Sequence, residues 1–142
     1  MRKSILILTL AAAVVLTGSS GWSQEEVSLP AKETVLVVVD MQNDFAAPGG
    51  LFTTDRAMKV VDKVKTVVEK ARKANVPIIY TQDYHKTTDW ELRAGGRKPH
   101  VMEGTWGAEI LEVMKPGKED YVVKKDSFDP WYSNDQLADM LF

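Results

Sequence analysis

Asp40, Asp83, His85, His100, Lys124 and Lys125 are the residues of this 142-residue chain whose types and positions can do chemistry together. Asp40 ends the apolar run Val35-Leu-Val-Val-Val39, Asp83 and His85 follow Ile78-Ile-Tyr-Thr81, and the two lysines follow Tyr121-Val-Val123. If the three runs are parallel strands, their carboxyl ends share one edge of a sheet, where open α/β sheets bind ligands. An acid, a pair of candidate ligands and a cation then converge. Asp83 and His85 are two residues apart, so in extended backbone both side chains leave on the same side and can reach one ion. His100 is the only other histidine, and it precedes the turn Gly104-Thr-Trp-Gly107, which can return it to that edge. An Asp/His/His set suits zinc, iron or manganese and leaves positions open for water or substrate. Taken singly, each charge is equally explained by a strand end reaching solvent, and each histidine by a surface position. The repetition at three strand ends is what points to a site.

The elements that must position these residues are legible from periodicity. Thr34-Val-Leu-Val-Val-Val39 is apolar at nearly every position, as suits a strand buried on both faces of a parallel sheet. The loop Ala46-Ala-Pro-Gly-Gly50 follows. From Asp55 to Ala74, Ala57, Val60, Val61, Val64, Val67, Val68 and Ala71 recur at three- and four-residue spacing, one apolar stripe on a helix. Thr54 or Asp55 can cap its start, and Asn75 with Pro77 close it. Val76 to Thr81 is the next strand, Gly104 to Met114 holds a short helix, and Tyr121-Val-Val123 is a third strand. Ser133 and Gln136 have capping-box spacing ahead of Leu137, Met140 and Leu141, so a last helix begins there. Strands alternating with helices imply right-handed crossovers and a parallel sheet. The class is α/β.

Residues 1–23 read differently. Met1-Arg2-Lys3 is basic, Ile5 to Leu16 is apolar or small apart from Thr9, and Thr17 to Ser23 is small and polar, the order of a secretory signal cut before Gln24. The apolar run is shorter than the roughly 20 residues of a spanning helix, which speaks against a membrane anchor. Ser19 stands where a lipid-bearing cysteine would be. An exported protein, periplasmic or secreted, is expected, with residues 24–33 as a linker and the domain over 34–142. The charge is −2, and becomes −4 when Arg2 and Lys3 leave with residues 1–23, so nothing favours nucleic acid or stable membrane association. The chain has no cysteine, which excludes disulfides, thiolate zinc sites and cysteine catalysis by this polypeptide alone.

Four ordered segments also resemble a known family. Val35 to Val39 with Asp40-Met-Gln-Asn-Asp-Phe45 is similar to the opening motif of the isochorismatase-like cysteine hydrolases, which include the nicotinamidases. Thr81-Gln-Asp-Tyr-His85 resembles their second-strand motif, and Pro99-His100 with Glu103-Gly-Thr-Trp-Gly-Ala-Glu-Ile110 their next block. Val122-Val-Lys-Lys125, then Phe128-Asp-Pro-Trp131 and Asp135-Gln-Leu137, resembles the lysine block and the segment after it.

The resemblance implies a Rossmann-like or flavodoxin-like parallel sheet with helices on both faces, truncated after about three strands. It implies Asp40 as catalytic acid, Lys125 as catalytic lysine with Lys124 beside it, and Asp83, His85 and His100 as ligands of a divalent transition metal. No organic cofactor is implied. In such a site a thiolate attacks a small amide, nicotinamide for example, and forms a thioester. The resemblance places the cysteine block several tens of residues beyond the lysine block, so the expectation is a hydrolase whose catalytic sequence is cut off. The alternative is an inactive metal- or small-molecule-binding remnant. Phe128 to Trp131 replaces a Tyr-Ser-Ala-Phe type of segment, and a further histidine of some nicotinamidases is missing. The partner implied is a small molecule, and the family often forms homo-oligomers.

Overall fold

A computed structural model of the chain describes residues 4–8, 28–94, 96–127, 129–130 and 136–141. Strands β1 (Ser4–Leu8), β2 (Thr34–Val39), β3 (Ile78–Asp83) and β4 (Tyr121–Lys125) form one sheet in that order, every neighbouring pair parallel. Val39 lies opposite Thr81, and Asp83 opposite Lys125. This register brings the carboxyl ends of β2, β3 and β4 level, as the sequence implied.

The helices are α1 (Asn43–Ala46), α2 (Asp55–Lys73), α3 (Trp90–Ala94) and α4 (Gln136–Leu141). Alternate residues of β2 serve two cores, which is why the strand is apolar throughout. Leu36 and Val38, with Ile78 and Tyr80 of β3, pack against Ala57, Val64 and Val68 of α2 and against Leu111 and Met114. Val35 and Val37, with Ile79 and Val123, pack on the other face against Leu137 and Leu141 of α4. Each side chain of this size contributes about 1.5–3 kcal/mol on full burial. Thr54 is the residue that caps α2, its hydroxyl accepting from the Ala57 amide at 3.1 Å. Asn75 takes a positive φ of 55° just past the last turn and reverses the chain into β3.

One expectation needs correcting. Gly104 to Met114 is not one helix but two short 3-10 turns, Trp106–Ala108 and Glu112–Met114. The segment between them pairs with the chain after β2: the Asn43 amide donates to Glu109 O at 2.9 Å and the Leu111 amide to Met41 O at 2.9 Å. Backbone groups committed to that pairing are not free to close a helix. The three strands expected from the sequence are β2, β3 and β4, and a further strand covers the outer edge of β2. β1 lies along it, from Ser4 opposite Thr34 to Leu8 opposite Val38. An unpaired edge presents a row of backbone donors and acceptors, and this short apolar segment supplies their partners. β1 falls inside the segment read as an export signal. Residues 1–3 and 9–27 of that segment and its linker lie outside the described residues, as do Phe128 and residues 131–135, Ser133 among them.

Candidate active site

The turn after β2 places Asp40 first. Its φ is 53°, a left-handed conformation that a non-glycine residue adopts at a cost and that clusters at functional sites. One oxygen of Asp40 accepts from the Thr81 hydroxyl at 2.8 Å, and the other lies 2.9 Å from the Lys125 ammonium. Lys125 comes from the end of β4, is almost fully buried, and donates to Ser127 O at 3.0 Å. Its ammonium also lies 3.9 Å from Asp83 Oδ2. Lys124 points elsewhere, its ammonium 3.9 Å from the centre of the Tyr84 ring. The alternation of side chains along β4 therefore chooses between the two lysines: Lys125 faces the site.

Asp83, His85 and His100 are all buried, and one donor atom of each lies within 4.8 Å of the others. His85 Nε2 stands 3.4 Å from Asp83 Oδ1, yet that oxygen is buried and makes no hydrogen bond among the described residues. Two ligands held about 2.1 Å from one tetrahedral ion sit roughly 3.4 Å apart, so the spacing and the orphaned oxygen both fit a cation between them. Burial pushes the Asp83 carboxyl above the usual carboxylate range; Lys125 and then His85 pull it back down, while Asp40 pushes the same way as burial. A divalent cation held there would favour the ionised form. The residues present fit such an ion.

Four further residues hold this arrangement, and sequence reasoning did not single them out for it. Thr81 orients Asp40 through its hydroxyl. Gln42 grips the backbone of Asp83 from both sides, donating to its carbonyl and accepting from its amide, each at 2.7 Å, and also donates to Ala108 O at 2.8 Å. Asp44 accepts from the Val101 amide at 2.7 Å and from the Leu51 amide at 3.2 Å. The bond to Val101 holds the His100 loop in place, with Val101 fully buried at a φ of 40°. Asp89 Oδ2 lies 3.1 Å from His85 Nδ1. The signals were present: Gln42 and Asp44 lie in the segment that follows Asp40, and Asp89 is four residues after His85.

Above these groups lies a cavity of about 600 Å³, lined by Asp40, Asp83 and His100, by the apolar Val39, Phe45, Leu51 and Phe52, and by Arg97 and Lys98. Phe52 meets the His100 ring edge-on, their centres 4.9 Å apart. An apolar pocket with a few converging polar groups is the usual form of a small-molecule site.

Residues 34–141 match the isochorismatase domain model. A ureidoacrylate amidohydrolase of Caulobacter segnis is 30% identical over 143 residues, covering 82% of this chain and 59% of its own length. The N-carbamoylsarcosine amidase of Thermoplasma acidophilum is 35% identical, with a TM-score of 0.65 over 75% of this chain and 59% of that one. The pyrazinamidase of Pyrococcus horikoshii, solved in complex with zinc, is 27% identical, with a TM-score of 0.65 over 75% and 62%. This chain thus spans about three fifths of the length of these relatives. An open parallel sheet with helices on both faces, the converging strand ends and the match over residues 34–141 agree: this chain belongs to the isochorismatase domain family, a family of hydrolases.

Proposed function

We propose that the cavity takes a small amide of nicotinamide, ureido or carbamoyl type, with Asp40 and Lys125 as its catalytic pair. The observation that carries this reading is the contact of 2.9 Å between a nearly fully buried ammonium and a carboxylate that reaches the cavity. In the reaction that the family resemblance implies, Asp40 would accept the proton of a cysteine thiol that these 142 residues do not contain, and the Lys125 ammonium would stabilise the thiolate beside it. The thiolate adds to the amide carbonyl, the carbon–nitrogen bond breaks, and the nitrogen leaves protonated as ammonia. Water then cleaves the thioester. Asp83, His85 and His100 would hold the divalent ion, whose chemistry is to anchor a nitrogen or oxygen of the substrate. The names of the relatives support the amide class, since they include amidohydrolases of ureidoacrylate and N-carbamoylsarcosine and a pyrazinamidase. Arg97 and Lys98 in the lining favour a substrate that also carries a carboxylate.

A second reading is favoured by one specific observation. None of the 142 residues is cysteine, and in this second reading the chain by itself binds such a ligand without turning it over. Titration calorimetry of the chain with nicotinamide and with N-carbamoylglycine, alongside an ammonia-release assay, tests both readings. Binding that is lost in Asp40→Asn, with ammonia release at background, is the expected result. No binding of either compound overturns the small-amide site. Turnover by the chain itself that disappears in Asp40→Ala overturns the requirement for a thiol.

A further inference from the structure

We propose that Asp89 is a positioning residue of the metal centre: its carboxylate fixes the proton of His85 on Nδ1, so that Nε2 faces the ion. The inference rests on the reading of Asp83, His85 and His100 as metal ligands.

A neutral imidazole carries one N–H, and the hydrogen bond made by one ring nitrogen decides which nitrogen is left to bind a metal. Both nitrogens of His85 have a carboxylate beside them. Nδ1 lies 3.1 Å from Asp89 Oδ2, and Nε2 lies 3.4 Å from Asp83 Oδ1. The two carboxylates compete for the same proton. The contact with Asp89 is a hydrogen bond, whereas Asp83 Oδ1 makes none among the described residues. With the proton on Nδ1, a lone pair of Nε2 and a lone pair of Asp83 Oδ1 face each other in a buried space. That juxtaposition is unfavourable unless a cation lies between them.

His100 shows the same device built from backbone. Its Nδ1 lies 3.0 Å from Lys98 O, a carbonyl that can only accept, so Nε2 is the nitrogen free to bind. For His85 the equivalent acceptor is a side chain, and a substitution can remove it.

Asp89 is itself held in place. Its Oδ2 accepts from the Lys86 amide at 2.7 Å, and its own amide donates to Lys86 O at 3.0 Å, which closes the turn leading into α3. The plain account of Asp89 as a turn residue explains those two bonds. It does not explain why the same oxygen also meets an imidazole that is 1% exposed.

The test uses the whole chain, with zinc and cobalt as probes, in wild type, Asp89→Ala, Asp89→Asn and His85→Ala. Metal affinity is read by chelator competition, and the His85 tautomer by nitrogen-15 NMR of the metal-free protein. Wild type is expected to carry the proton on Nδ1. Asp89→Ala is expected to move it to Nε2, where Asp83 takes it, and to lower metal affinity about 10- to 100-fold. Asp89→Asn keeps a carbonyl acceptor for both the Lys86 amide and Nδ1, so it retains the wild-type tautomer and loses less affinity. It also serves where the alanine variant fails to fold. Wild-type affinity in Asp89→Ala together with its loss in His85→Ala overturns the role of Asp89 alone. A wild-type chain that binds neither metal overturns the metal reading, and the proposal with it. A wild-type His85 protonated on Nε2 overturns the proposal directly.

Discussion

Lys125 shows what a single buried charge contributes to this fold. Its ammonium is almost sealed from solvent and faces Asp40 at 2.9 Å and Asp83 at 3.9 Å. Removing one partner of such a pair is costly because the other charge stays behind. Lys125→Met keeps most of the unbranched stem and removes the cation, leaving the two carboxylates without the ammonium between them. We expect it to destabilise the chain by about 3 kcal/mol, the low end of the buried-pair range, because Asp40 is partly open to solvent. Urea denaturation measures this, and a loss below about 1 kcal/mol would show that water already screens the pair. At this scale the sequence anticipated a convergence: Asp40, Asp83, His85, His100 and Lys125 do meet at one end of the sheet. Gln42, Thr81 and Asp89 escaped notice in these roles because their work is to bond backbone or another side chain. Residue type and spacing do not report such partners.

Between the elements, the His100 loop depends on one buried carboxylate. Asp44 enters from α1 and binds the Val101 and Leu51 amides, and Gly107 approaches it so closely that a Cβ would overlap the carboxylate. Gly107 is therefore required for close approach, and the glycine in the Gly104-to-Gly107 turn that mattered is not only the one at positive φ. Asp44→Asn replaces an acceptor with a group that must present an amine toward one of the two amides. We expect a loss of about 1–3 kcal/mol. Zinc affinity is expected to fall as well, because Val101 adjoins His100. Denaturation and a zinc titration on one preparation decide this, and unchanged zinc affinity would mean that His100 is held without Asp44. Strands and the long helix α2 were readable because their patterns are local. The 104–114 region was not, since its path is set by pairing with residues 41–43, far away in sequence.

For the molecule as a whole, the outer edge of β2 is the feature that depends on residues far from the site. The apolar character of Val35 to Val38 makes them core, and α2 and α4 cover their two faces. Neither helix can satisfy the backbone groups that point along the sheet, and that task falls to β1. Residues 4–8 thus combine strand pairing with the composition of an export signal, and the two roles exclude each other in any one molecule. If residues 1–23 are cut away, β2 becomes an edge strand that is long, apolar and free of charge, the kind that recruits another strand. We expect the intact chain to protect nearly all β2 amides from hydrogen exchange. In a chain beginning at Gln24, about half of them, those directed outward, should exchange rapidly while the amides bonded to the β3 side stay protected. The shortened chain should also self-associate in light scattering at concentrations where the intact chain does not. Equal protection of β2 in both lengths, with no association, would show that β1 does not cover this edge in solution.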